Sequence, residues 1–289
     1  MSSLDSADQA APAAPSTFVI VPQWQGSGSS RAMRLVDGTE AIRGDLPASA
    51  TRVVPVPTGA GEAQDTGVLR FTALHQIREA QSQVLAGTTG RVITIGGDCG
   101  VELAAVPHAL RRAGDARVAV IWFDAHGDLN TPSSSPSHAF SGMVLRTLLG
   151  EGPEALVPTH PLSADSIILA GVRSLDDEEA DFIESAGIRT LRPDDLRQPE
   201  NLLSQVTEMG ATHVYLHIDL DVIDPIDFNG IGYPEPFGVP AAALIENIRS
   251  VCAAFPLIGA GITQFAPTSP AAADDDLPTI LRIISALTR

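Results

Sequence analysis

The chain has 289 residues, 44% of them hydrophobic, and a formal net charge of −17. That size and apolar content support a well-buried α/β domain, while the acidic balance excludes a main role on nucleic acid or an anionic membrane, both of which need a basic surface. All 18 basic residues are arginine, which excludes a lysine Schiff base, a pyridoxal-phosphate anchor and a phosphate-loop lysine.

Residues 1–17 are small, acidic and rich in Ala, Ser and Pro, with neither a basic start nor an apolar core. They are expected to form a disordered tail rather than a signal peptide. From there, apolar runs at 18–21, 53–56, 92–95, 118–123, 167–170, 188–191, 214–218 and 258–262 predict eight strands. Amphipathic stretches at 72–85, 101–113, 143–148, 178–185, 202–209, 241–253 and 277–287 predict the helices between and after them. This alternation predicts an α/β fold in which a mainly parallel sheet is covered on both faces, a three-layer αβα sandwich in a single domain over 18–289. The Ser/Pro stretch 131–137 reads as a loop, and the Gly/Pro-rich stretch 224–240 as a long connection ordered around a site. No apolar run reaches the ~18 residues of a membrane helix. The two cysteines, Cys99 and Cys252, form no disulfide pattern, so a reducing cytoplasm is the simplest setting.

The segment Trp122-Phe123-Asp124-Ala125-His126-Gly127-Asp128 closes the fourth predicted strand. In extended backbone, residues two apart share a face, so Asp124, His126 and Asp128 point the same way and form a cation-binding comb. Asp219 and Asp221 close the seventh strand in the same fashion, and Ile95-Gly96-Gly97-Asp98-Cys99-Gly100 closes the third. Open α/β sheets bind ligands beyond the carboxyl ends of their strands, and all three clusters fall there. Carboxylates at apolar strand ends are costly unless paired or metal-bound.

These motifs resemble those of the arginase, agmatinase and formiminoglutamase family, the manganese ureohydrolases. Residues 96–100 are similar to its Gly-Gly-Asp-His motif, 124–132 to its Asp-Ala-His-x-Asp-x-Asn-Thr-Pro motif, and 219–225 to its Asp-x-Asp-x-x-Asp-Pro motif. The resemblance implies an eight-stranded parallel sheet between helices and two Mn²⁺ ions bridged by a hydroxide that attacks a guanidine or amidine carbon. It further implies that Asp124 and Asp219 bridge the ions, that Cys99 and Asp128 complete one, and that His126 and Asp221 complete the other. Asp128 is placed to hydrogen-bond the hydroxide.

Three positions depart from the family pattern. Cys99 stands where the family usually has histidine, and a thiolate favours Zn²⁺ or Fe²⁺ relative to Mn²⁺. Ser141 aligns with the histidine that passes a proton to the leaving amine. A serine cannot do this near pH 7, so His138, three residues earlier, becomes the candidate donor. Gln264 aligns with a glutamate that pairs with the substrate's guanidinium; a neutral amide disfavours arginine but suits the less basic N-hydroxyguanidine. Together these changes resemble the hydroxyurea-forming amidinohydrolases of antibiotic biosynthesis, which implies hydrolysis of Nω-hydroxy-L-arginine to L-ornithine and hydroxyurea. By the same resemblance Asn130, Ser135 and Ser137 receive the substrate carboxylate and Asp176 its α-amine. Ser174 replaces an aspartate common in arginases, which leaves the amine end in doubt. His217 reads as a support to the ligands or as core. A small-molecule substrate and no macromolecular partner are expected, and the absence of an extended C-terminal tail favours a monomer. Another uncharged amidine or ureido substrate, formiminoglutamate among them, and a catalytically silent metal-binding relative stay open as alternatives.

Overall fold

The computed structural model describes residues 16–288. Most of the expected disordered tail therefore lies outside the described residues, but Thr17 is already paired in the first strand. Eight strands form one sheet: Thr17–Val21 (β1), Thr51–Val53 (β2), Val92–Gly96 (β3), Val118–Phe123 (β4), Ile167–Ala170 (β5), Arg189–Leu191 (β6), His213–Asp219 (β7) and Leu257–Thr263 (β8). Their spatial order is β2-β1-β3-β8-β7-β4-β5-β6, and every pairing is parallel. The helices are Arg34–Gly44 (α1), Phe71–Ala86 (α2), Glu102–Ala113 (α3), Val144–Leu148 (α4), Asp177–Ala186 (α5), Pro199–Glu208 (α6), Ala241–Ala254 (α7) and Pro270–Thr288 (α8). Among the described residues, no helix is long and apolar enough to cross a membrane.

The central strands are apolar on both faces because both faces are covered. Ala119, Ile121 and Phe123 of β4 pack with Leu216, Ile218 and Ile262 against α1, α6, α7 and α8. Val120 and Trp122 point the other way, joining Tyr215 against α2, α3 and α4. This alternation positions the site. Asp124 continues the phase of Val120 and Trp122, and Asp219 continues that of Tyr215 and His217. The β4–β7 register pairs Trp122 with His217 and Phe123 with Ile218, so the next step sets Asp124 beside Asp219 at the carboxyl edge of the sheet.

Three elements differ from the sequence expectation. The second strand is Thr51–Val53 rather than 53–56: it is a short edge strand, and Pro55 and Pro57 cannot continue a ladder. Helix α1 carries too weak an apolar stripe to be read, because its buried face is Leu35, Gly38, Thr39 and Ile42. Gly38 is needed there, since a Cβ would lie 2.0 Å from the Phe265 carbonyl oxygen. Helix α8 begins at Pro270, seven residues before the expected 277–287 helix, with proline tolerated at its first turn.

The turn after β3 is tied to the turn after β1 by one carboxylate. Buried Asp98 accepts from Gln23 Nε2 at 2.7 Å, Gly26 N at 2.8 Å and Gly100 N at 2.9 Å. Burial pushes its carboxyl up to about 6, and the Gln23, Gly100 and Gly26 donors restrain that rise. Gly97 admits the close approach: a Cβ there would sit 1.8 Å from Gln23 O. Asp98→Ala should cost about 3 kcal/mol, because it strands two buried backbone N–H groups. Urea unfolding measures this, and a loss below about 1 kcal/mol would show that the turns do not depend on Asp98.

Candidate metal centre

At the end of β4 the backbone leaves the sheet, and Asp124 N donates to Ala170 O at 3.2 Å. The Asp124 carboxylate then folds back on its own turn: Oδ1 accepts from His126 N at 2.7 Å and Oδ2 from Trp122 Nε1 at 3.2 Å. Asp219 does the same after β7, with Oδ1 accepting from Asp221 N at 2.9 Å. Asp221 Oδ1 accepts from Ala125 N at 3.1 Å and so joins the two turns. Cys99 Sγ donates to Asp219 Oδ2 at 3.0 Å. His126 Nδ1 lies 3.0 Å from Asp221 Oδ2 and 3.4 Å from Asp124 Oδ1.

Among the described residues, two groups of donors are close enough to hold a metal ion. One is Cys99, Asp124, Asp128 and His217; the other is Asp124, His126 and Asp221; within each, the donor atoms all lie within 4.8 Å of one another. Asp124 belongs to both. Asp219, for which the family resemblance implies a bridging role, belongs to neither, and its oxygens are taken by Cys99 and the Asp221 N–H. The donor set fits divalent transition metals. Two buried atoms, Asp128 Oδ2 and His217 Nε2, have no hydrogen-bond partner, as expected of groups that face a cation. Asp128 is also held with φ at 53°, a left-handed backbone costing about 1 kcal/mol for a residue with a side chain. Gln264, at φ 67°, shares that strain.

The charge balance points the same way. Burial and neighbouring carboxylates raise Asp128, Asp219 and Asp124. Burial, followed by the charges of Asp219, Asp128 and Asp124, pushes the Cys99 thiol well up. For His126, burial opposes the charged ring but is outweighed by Asp124 and Asp221, which push it up to about 12. Asp221 moves down, because His126 and the Ala125 N–H overcome its burial. Protons thus stand in for cations in this cluster.

A cleft of about 260 Å³ opens above it, lined by His126, Asp128, Asn130, Ser135, Ser137, Ser141, Asp176, Glu179 and Gln264 among others. Asn130 Nδ2 donates to Asp176 Oδ2 at 2.8 Å, and Asn130 Oδ1 accepts from Ser134 Oγ at 2.7 Å. Ser135 Oγ and Ser137 Oγ are 3.4 Å apart. His138 is not among the lining residues. Its Nδ1 lies 3.0 Å from Gly67 O, with backbone φ at 53°. In this conformation His138 is exposed and meets the Gly67 carbonyl at the rim rather than the cleft lining. The 224–240 connection is ordered as expected: its Ile231 and Val239 bridge to Phe265 and Ile223, and Tyr233 reaches the cleft.

Several supports escaped the sequence reading. Glu179 accepts from Leu129 N at 2.9 Å and from Asp176 N at 3.1 Å, fixing the loop that carries Asp128. Its spacing from Asp176, Asp-x-x-Glu before a helix, is a capping signal that could have found it. Arg173 donates to the carbonyls of Gly171, Asp221, Val222, Glu235 and Pro236 at 2.8 to 3.2 Å, pinning the Asp221 turn to the 224–240 connection. Nothing local in the sequence marks that role. Glu235 Oε1 approaches His126 Nε2 at 3.9 Å, behind the nitrogen that faces the carboxylates.

Because Cys99 and His126 hold protons, loading with Zn²⁺ near pH 7 should release protons, and affinity should weaken as pH falls. Calorimetry in two buffers of different ionisation enthalpy measures the release; metal uptake without it would contradict the charge balance. Arg173→Met should weaken metal binding on the order of tenfold or more by freeing the Asp221 turn. Equilibrium dialysis tests that, and unchanged affinity would remove Arg173 as a support.

Comparison with known proteins sets this geometry in context. An arginase from Staphylococcus aureus (strain MRSA252) is 34% identical over 148 residues, 48% of this chain and 48% of that protein. An arginase from Bacillus caldovelox is 32% identical over 196 residues, 62% of this chain and 64% of that protein. The matched part of the chain thus spans about half to two thirds of these relatives. Among solved structures, Entamoeba histolytica arginase in complex with L-ornithine superposes with a TM-score of 0.84, covering 96% of this chain and 99% of that one at 22% identity. Formimidoylglutamase from Bacillus subtilis superposes with a TM-score of 0.72, covering 99% and 94% at 18% identity, which again speaks for the fold alone. The family model described as "Arginase family" matches residues 30–279 and takes in both metal-ligand groups, so the chain belongs to the arginase family.

Proposed function

We propose that this protein is a binuclear-metal hydrolase of a guanidino-type C–N bond, with Nω-hydroxy-L-arginine as its substrate and L-ornithine and hydroxyurea as products. The observation that carries the substrate choice is Gln264. It lines the cleft with its Nε2 3.7 Å from Cys99 Sγ, and so presents an uncharged amide beside the metal-ligand cluster. The acidic groups of the lining are otherwise engaged. Both Glu179 oxygens accept backbone N–H bonds, Asp176 accepts from Asn130, Asp219 accepts from Cys99 and the Asp221 N–H, and Asp128 and Asp221 belong to the two donor groups. A buried guanidinium needs a counter-charge that is free to pair with it. An N-hydroxyguanidine, whose electronegative oxygen lowers its basicity, enters neutral and needs none.

Two divalent cations in this centre, Mn²⁺ in the family pattern, would acidify a shared water to a nucleophile near neutral pH. The chain's own residues supply the rest. Asp124 is shared by both ligand groups and sets the spacing between them. Gln264 offers an amide acceptor and donor to the hydroxyguanidine end. Ser135, Ser137 and Asn130, which line the cleft, offer donors to a carboxylate, and Asp176, whose Oδ2 accepts from Asn130, offers its other oxygen to an α-amine. Water adds to the guanidino carbon, the bond from that carbon to Nδ breaks, and the proton lost by the water passes to the departing ornithine amine. Asp128, which lines the cleft beside the cluster, is the group placed to pass this proton on. Ser141, whose hydroxyl cannot act as an acid near pH 7, does not assist. In this reading the protein acts as a cytoplasmic monomer on a small molecule, in a reducing environment that keeps Cys99 a thiol.

A hydrolysis panel tests the reading. Metal-replete protein should release hydroxyurea and ornithine from Nω-hydroxy-L-arginine and leave arginine essentially untouched. The reverse preference would sink the substrate choice, turnover of formiminoglutamate alone would move it to that compound, and inactivity on every guanidine, amidine and hydroxyguanidine would show a silent relative.

A further inference from the structure

We infer that His217 Nε2 is a ligand of the cation held by Cys99, Asp124 and Asp128; the inference rests on the binuclear reading above and adds a donor to it. His217 is fully buried, one step down β7 from Asp219 on the same face of the sheet. His217 forms one group of mutually close donor residues with Cys99, Asp124 and Asp128, and Nε2, the ring nitrogen not bonded to Glu102, lies 3.9 Å from Asp124 Oδ2. That nitrogen has no hydrogen-bond partner. Asp124 Oδ2, at 3.9 Å, is too far to be one.

The opposite ring nitrogen explains why. Nδ1 lies 2.8 Å from Glu102 Oε1, and the second Glu102 oxygen accepts from Tyr215 OH at 2.5 Å. A carboxylate only accepts, so Nδ1 carries the hydrogen and Nε2 is left with its lone pair. A carboxylate on one imidazole nitrogen and a metal on the other is the recurrent way in which proteins orient a histidine ligand. The ring plane is fixed as well: Trp122 stacks on it at a centroid distance of 3.7 Å and 25°. The Trp122 N–H is spent on Asp124 Oδ2, so it does not compete for Nε2. A buried lone pair beside three acidic donors is an arrangement that a cation satisfies. With His217 the group becomes one sulfur, one nitrogen and two carboxylates, a four-donor set that suits Zn²⁺ or Co²⁺ better than Mn²⁺. The group of Asp124, His126 and Asp221 keeps the harder oxygen-rich set.

The test is metal content and zinc X-ray absorption on full-length protein loaded with Zn²⁺ alone, comparing the unaltered chain, His217→Gln and Glu102→Gln. The unaltered chain should bind two zinc ions, with scattering from two imidazoles and one sulfur. His217→Gln should lose one imidazole from that shell and bind the Cys99-side ion more weakly. Glu102→Gln should keep both imidazoles yet weaken that ion on the order of tenfold, with a shifted ligand-field spectrum when Co²⁺ replaces Zn²⁺. If His217→Gln fails to fold, the Glu102→Gln spectrum decides, since a packing role for His217 leaves it identical to that of the unaltered chain. Two zinc ions with a single imidazole overturn the ligand role of His217 and leave the binuclear reading standing. Fewer than two zinc ions in the unaltered chain overturn the binuclear reading itself.

Discussion

Mutual repulsion among buried acids is the constraint on which this structure depends. Asp124, Asp128, Asp219, Asp221 and Cys99 crowd the carboxyl ends of three strands, and all are buried. A charge taken from water must be paired or neutralised. Within the cluster His126 alone lends strong positive character, and its pull on Asp221 and Asp124 is matched by their push on it. The remaining acids hold protons or meet cations. A protein that builds such a cluster at a ligand-binding edge, and leaves Asp128 Oδ2 and His217 Nε2 unpaired inside it, is organised around cations.

The fold supplies the geometry by two simple regularities. Parallel strands end together, and alternate residues share a face, so motifs far apart in the chain arrive side by side. The sheet order then matters: β8 and β7 lie between β3 and β4, and this brings Cys99, Gln264, Asp219 and Asp124 to neighbouring strand ends. A second layer holds the turns in place. Asp98 locks the β3 turn to the β1 turn, Glu179 holds the Asp128 loop, and Arg173 gathers five carbonyls around the Asp221 turn. Each acts on backbone rather than on a ligand side chain, so the ligands inherit rigidity from their turns.

The departures from the family pattern form one physical set. Cys99, Gln264 and Ser141 change softness, charge and proton supply at the same end of the cleft, while the carboxylates beneath keep their places. In the function proposed above, removing a counter-charge and a proton donor together fits a substrate that arrives uncharged. His217 adds the complementary change from below, a nitrogen donor beside the position where a thiol stands for imidazole.

Much of this was legible in the residues themselves. Near-continuous apolar runs identified the central strands, because strands buried on both faces have no polar residues to interrupt them. The acidic clusters at 124–128 and 219–221 could be read as candidate cation ligands, because carboxylates at apolar strand ends are costly unless paired or metal-bound, although the backbone leaves the extended form after Phe123. Helix α1 was not legible, since its buried face is half glycine and threonine and closes on the Phe265 backbone that only folding brings near. The edge strand β2 was misplaced for a related reason, because its bounds are set by pairing with β1 rather than by its own pattern. What tertiary structure alone decided was the orientation of single side chains. His138 was a candidate by proximity in the chain; its contact with the Gly67 carbonyl, 71 positions away, is one that the local sequence does not announce. His217 was read as a support to the ligands or as core, but Glu102, 115 positions away, engages its Nδ1 and leaves Nε2 on the side of the acids. Periodicity reports which face a residue occupies, whereas the atom that a ring presents depends on partners that the local sequence does not contain.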